Sequence, residues 1–203
     1  MTSGGEEEER SLLAVDLGVK TGLALYGTDG RLRWYGSRNF GNRNRLRRGI
    51  QSILESEPDL EWLVVEGGGD LARLWIGEAE KRRIGIIQIT AEVWREKLIL
   101  PRDRRSGADA KRNALAAARR VIEWSQARRP TSLRHDAAEA VMIGLWGALE
   151  TGMLNRPPPG IGVGPGTRAG DRGKWDPPAK DPGRTAQVAG STQGNSRTGR
   201  GRG

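Results

Sequence analysis

The sequence predicts an α/β fold: a mixed five-stranded sheet, three antiparallel strands followed by two helix-linked parallel ones, flanked by helices. Three observations carry that expectation. Three strand-like runs come first, joined by turns short enough for antiparallel neighbours. Two continuous apolar runs of strand length follow, each after a stretch with helical spacing. Beyond residue 90 only helical periodicity remains, and no repeat of 20–50 residues interrupts the order.

Residues 12–16, LLAVD, form the first strand and end in Asp16. Gly18 and Gly22 bracket the turn, where glycine permits a tight bend and close backbone approach. Residues 21–26 are the second strand, and Thr28-Asp29-Gly30 is a hairpin turn of the Asp-Gly kind. In residues 31–37, Leu32 and Trp34 alternate with Arg31, Arg33 and Tyr35, the period of a half-exposed strand. Residues 42–55 place Leu46, Ile50, Ile53 and Leu54 on one stripe and Arg43, Arg45, Arg47 and Arg48 elsewhere. This is an amphipathic helix with a basic face.

Residues 62–65 form an apolar strand ending in Glu66, and the glycines at 67–69 break it. Asp70 is placed to cap a helix running to about residue 82. Residues 84–89 are a second buried strand, and residues 91–99 a helix that stops before Pro101. A charged loop at 103–107 leads into a long helix, 108–128, with Leu115, Ala118 and Ile122 at helical spacing. Residues 130–134 turn the chain into the last helix, 136–149.

Composition divides the 203 residues into an acidic leader (1–10), one folded domain (11–150) and a tail (151–203) expected to be disordered. The tail holds seven of the ten prolines, thirteen of the thirty glycines and few large aliphatics, too little apolar surface to offset ordering entropy. Its nine Lys/Arg against three Asp supply six of the nine net positive charges. Such a tail suits non-specific contact with a polyanion, although a solvated tail without a partner has the same composition. The absence of cysteine excludes disulfides, thiolate metal sites and cysteine nucleophiles. The leader lacks an apolar stretch, and no run approaches the ~20 residues of a membrane span. The expectation is a protein of the cytoplasm without membrane contact, nucleoid-associated if its partner is DNA, or the organelle or phage equivalent.

The chemistry lies in four carboxylates. Asp16 closes the first strand and Glu66 the fourth, so the two meet at one sheet edge if those strands are parallel neighbours. Asp136 and Glu139, at i and i+3, project from one face at the start of the last helix. Four converging acids repel, and hard divalent cations bound through oxygen relieve the repulsion. Mg²⁺ fits, with Mn²⁺ as substitute, and two ions ~3.5–4 Å apart would serve phosphodiester hydrolysis. Each acid alone has an ordinary explanation: Asp16 as a turn acid, Glu66 as an arginine partner, Asp136 as a helix cap. Their joint placement favours the metal site.

With VDLGVKTGLAL, VVEGGG and HDAAEAVMIG in place, residues 11–150 resemble the RuvC-type Holliday junction resolvases of the RNase H-like superfamily. The resemblance implies an RNase H-like fold, a homodimer, and Mg²⁺-dependent nicking of paired strands in a four-way DNA junction, with a role in recombination and repair. It assigns Asp16, Glu66, Asp136 and Glu139 as catalytic metal ligands. Glu139 stands where the family often has Asp, and His135 fits variants of the motif, with a surface or cap role as its plainer reading. The stacking aromatic that many members carry three residues after the glutamate is replaced by Gly69. Lys111 falls where relatives approach substrate phosphate, with Arg104, Arg105 and Arg112 widening a nucleic-acid-binding surface; a solvated face is the alternative. Trp94 suits the core better than base stacking, and Trp75 with Leu71 suits either a dimer interface or the core.

Three other readings stand beside this one. VDLGVKTGLAL also looks like the opening of the RuvX/YqgF proteins, related nucleases linked to ribosomal RNA, but VVEGGG and HDAAEA favour the resolvase side. Actin-like and sugar-kinase ATPases share an Asp-x-Gly strand and hairpin, yet need a second domain that ~140 folded residues cannot supply. A non-catalytic junction- or DNA-binding module would keep the fold; four intact acids weigh against it.

Overall fold

The computed structural model describes residues 10–100, 107–162 and 185–188, with 107–111 and 185–188 by their backbone alone. The strands are β1 (Ser11–Asp16), β2 (Thr21–Tyr26), β3 (Leu32–Arg38), β4 (Leu60–Glu66), β5 (Gly85–Ile89) and β6 (Thr185–Val188). The helices are α1 (Arg43–Glu55), α2 (Gly69–Lys81), α3 (Ala91–Leu98), α4 (Gly107–Trp124) and α5 (His135–Glu150). They form one mixed sheet, ordered β3-β2-β1-β4-β5-β6, with helices against both faces. β1, β2 and β3 pair antiparallel; β1, β4, β5 and β6 pair parallel.

Side-chain alternation gives the sheet two cores. Leu13, Val15, Leu23, Leu25, Leu63 and Val65 pack under α1 and α2 through Leu46, Ile50, Ile53, Ala72 and Trp75. Leu12, Ala14, Ala24, Tyr26, Trp62 and Val64 pack on the other face against α3, α4 and α5. α5 is apolar around most of its circumference because the sheet lies on one side and α4 on the other. Its approach to the sheet depends on missing side chains. A Cβ on Gly22 would run into the carbonyl oxygen of Asp136, and one on Gly147 would come within 2.8 Å of Val64. The Tyr26 hydroxyl donates to the Val141 carbonyl at 2.6 Å and fixes the helix along β2. α5 therefore runs antiparallel to β1, with Asp136 over the strand's carboxyl end.

Three expectations need correction. Order does not stop at residue 150: Leu154 N–H donates to the Ala148 carbonyl at 2.8 Å, Arg120 donates to the Gly160 carbonyl at 2.7 Å, and Ile161 is buried. Met153, Leu154 and Ile161 supply apolar anchors that the averaged composition of the tail conceals. The five expected strands are present, and Thr185–Val188 adds a sixth beside β5 within the stretch expected to be disordered. Residues 1–9, 163–184 and 189–203 lie outside the described residues. Asp70 does not cap α2: it sits in the first turn, and Gly68 is the cap residue. No described helix is long and apolar enough to cross a membrane.

Gly22→Ala tests the close approach of α5. Its Cβ forces α5 off the sheet or β2 out of register, so the variant is expected to lose about 1–3 kcal/mol of stability. Urea unfolding measures the loss, and an unchanged midpoint would contradict the packing described.

Candidate carboxylate centre

β1 and β4 are parallel neighbours, and their register sets Asp16 directly beside Glu66. By alternation both acids point to the face that carries α5, in step with Ala14 and Val64. Asp16 also pairs across β2 with Gly22, the residue on which Asp136 rests. Asp136 and Glu139 then project from the first turns of α5. All four sequence-predicted acids are thus brought to one end of the sheet.

Each acid has its own neighbours. The Ser37 hydroxyl, at the end of β3, donates to Asp136 Oδ2. The indole N–H of Trp94, a fully buried residue of α3, donates to Glu66 Oε2. Arg95, the next residue, donates from Nη2 to Glu139 Oε1 at 2.6 Å, with its guanidinium 5.0 Å from the centre of the Trp94 ring. Arg95 Nε is buried without a hydrogen-bond partner.

The electrostatics follow. The Asp16 carboxyl is pushed from 3.8 up to about 8, first by burial and then by Glu66, Glu139 and Asp136; Arg95 acts in the opposite sense. Glu66 is also raised, again first by burial, while the Trp94 hydrogen bond and Arg95 pull it down and Glu139 and Glu92 push it up. Burial, reinforced by three neighbouring carboxylates against a single guanidinium, favours the protonated form of Asp16 at neutral pH.

As a donor set, four carboxylates suit a hard divalent cation, which could take the place of that proton. Among the described residues, however, no three acidic or histidine side chains are arranged to hold one ion between them. Glu139 is engaged with Arg95 and Glu66 with Trp94, so one oxygen of each is committed to a separate donor. To hold an ion, Asp16, Glu66 and Asp136 would have to turn their carboxylates toward one another, and Glu139 would have to give up its guanidinium.

The other predicted residues separate. His135 is exposed and forms no hydrogen bond or ion pair among the described residues. Arg112 is exposed on α4, Arg104 and Arg105 lie outside the described residues, and Lys111 is described by its backbone only. The far end of α4 meets β3, where Arg31 donates to the Trp124 carbonyl at 2.6 Å, so Lys111 lies toward the carboxylate end. Trp75 is wholly buried in its own core and cannot form a dimer surface; Leu71 is 39% exposed. A cavity of about 150 Å³, lined by Arg10, Ser11, Gly27 and Asp59 among others, lies at the opposite end of β1.

Sequence reasoning missed Ser37, Arg95 and the polar role of Trp94. The available signal was positional: Trp94 and Arg95 lie in the first turns of α3, which follows β5, the strand beside the one that carries Glu66. No model of a known protein family matches the chain, and no curated protein is significantly similar to it.

The raised carboxyls fix the sign of a pH effect. The folded state holds protons that the unfolded chain releases, so this contribution to stability is complete below about pH 4 and lost as pH rises through about 8. In metal-free buffer the melting temperature is expected to fall between about pH 5 and pH 9, and Asp16→Asn to flatten that fall and exceed the wild type at the alkaline end. Parallel pH profiles for the two proteins would contradict the coupling.

Proposed function

We propose that the chain is a Mg²⁺-dependent, RuvC-like endonuclease of RNase H-like fold that resolves four-way DNA junctions by phosphodiester hydrolysis. The observation that carries the proposal is the register that sets Asp16 beside Glu66 on the face where Asp136 and Glu139 descend. The order of elements supports it too: three antiparallel strands, two helix-linked parallel strands, and acids on the first strand, the fourth strand and the last described helix.

When bound, a divalent cation supplies charge neutralisation at a phosphate and makes water a stronger nucleophile. The chain's own residues do the rest. Asp16, Glu66 and Asp136 would hold the ion once turned toward one another; Trp94 and Ser37 donate to two of those carboxylates, as outer-shell donors do. Arg95 balances the remaining charge through Glu139. A homodimer would present two such centres to a twofold substrate. The alternative of a non-catalytic DNA-binding module draws support from the engagement of Glu139 with Arg95, and the same experiment decides between them.

The test uses a labelled four-way DNA junction, a matched duplex and an RNA–DNA hybrid, each with Mg²⁺, Mn²⁺ or EDTA. Paired nicks confined to the junction are expected, absent in EDTA and reduced by more than about 100-fold in Asp16→Asn. Junction binding without cutting in either metal favours the binding module. Cutting of the hybrid alone would discard the DNA substrate.

A further inference from the structure

We propose that the first two turns of α1, together with Arg38 at the end of β3, form a track for the phosphodiester backbone of a nucleic-acid strand leading to the carboxylate centre. The direction of that track rests on the nuclease reading; the binding itself does not.

Arg38, Arg45, Arg47 and Arg48 are exposed, and none has an ion-pair or side-chain hydrogen-bond partner among the described residues. Their neighbour Arg43 reaches Asp70 of α2 at 3.7 Å, but that carboxylate is also taken by Arg73. α1 has no acid in its first turn, and its sole carboxylate is Glu55, the final residue. Four arginines within six residues therefore crowd the positive end of a helix, where the macrodipole disfavours cations. Apart from Asp70 beside Arg43, no carboxylate among the described residues pairs with that arrangement. A polyanion would, and the exposed N–H groups of the same helix end favour phosphate.

The location ties the track to the site. Ser37 faces α5 and bonds Asp136; the next residue, Arg38, by alternation faces the α1 side of the same sheet edge. The chain passes from Arg38 to the Asn42 cap in four residues, where the Asn42 side chain accepts from Arg45 N–H at 2.9 Å and fixes the start of α1. α1 then runs away from that edge to feed β4, so its arginine-bearing turns sit at the carboxylate end. A strand crossing the sheet edge would meet acids on one face and arginines on the other. Planar guanidinium forks are suited to phosphate oxygens.

The experiment measures binding of full-length protein to a labelled four-way junction in EDTA over a salt series, so no cleavage is needed. Arg45→Ala/Arg47→Ala/Arg48→Ala is compared with Arg10→Ala/Arg33→Ala/Arg83→Ala, three exposed arginines at the opposite end of the sheet. Both triples remove the same net charge, and circular dichroism checks that both fold. The α1 triple is expected to bind at least ~10-fold more weakly, with a log–log salt slope shallower by about 2–3, and the control to stay near wild type. Equal losses in the two triples, an unchanged α1 triple, or a wild type without affinity for the junction would each overturn the proposal. Wild-type binding with the expected α1 loss but no cutting in Mg²⁺ would leave the track standing and remove only the nuclease reading.

Discussion

The rest of the structure answers to the in-register meeting of Asp16 and Glu66 at the end of two parallel strands. Burial makes that pair costly on its own, and α5 adds two further acids to the same face. The neighbouring residues moderate the cost. Gly22 lets α5 come down on the strand end, Ser37 and Trp94 donate to carboxylate oxygens, and Arg95 contributes a positive charge through Glu139. Burial first, and then three neighbouring acids against one guanidinium, push the Asp16 carboxyl up to about 8. A fold selected for stability alone would place apolar residues here. Retained local conflict of this kind is the physical mark of a functional site.

The helices reinforce the polarity of the molecule. α1, α2 and α3 each begin just after a strand that ends at the carboxylate edge, and α5 begins over it. α4 ends against β3 at the opposite side, so it also starts toward this edge. The positive ends of the helix dipoles therefore gather around the acids. They lessen the repulsion among the carboxylates and favour an incoming anion at the same place. An edge that combines acids with positive helix ends and exposed arginines suits a phosphate ester better than a neutral ligand.

Much of this was legible in the sequence, for specific reasons. Strand ends are visible where an apolar run stops at a charge, as at Asp16 and Glu66, and the i, i+3 spacing of Asp136 and Glu139 fixes their common face. The Arg95–Glu139 pair was not legible, because 44 residues separate partners that only tertiary packing unites. Ser37 was hidden for the same reason, 99 residues from Asp136. The sequence places Trp94 in the core, and it is buried, but burial alone does not reveal which acceptor its N–H finds. β6 and the ordered stretch through residue 162 escaped because a few apolar residues were averaged into a long Gly/Pro-rich tail.

The four carboxylates gather at one end of the sheet, and the function proposed for them requires that they take up a divalent cation. Calorimetric titration of the metal-free protein with Mn²⁺ at neutral pH, in two buffers of different ionisation enthalpy, tests it most directly. Saturable binding accompanied by proton release is expected, as the ion displaces the proton on Asp16, with loss of both in Asp16→Asn. No saturable binding in the wild type, or binding that Asp16→Asn leaves unchanged, would contradict it.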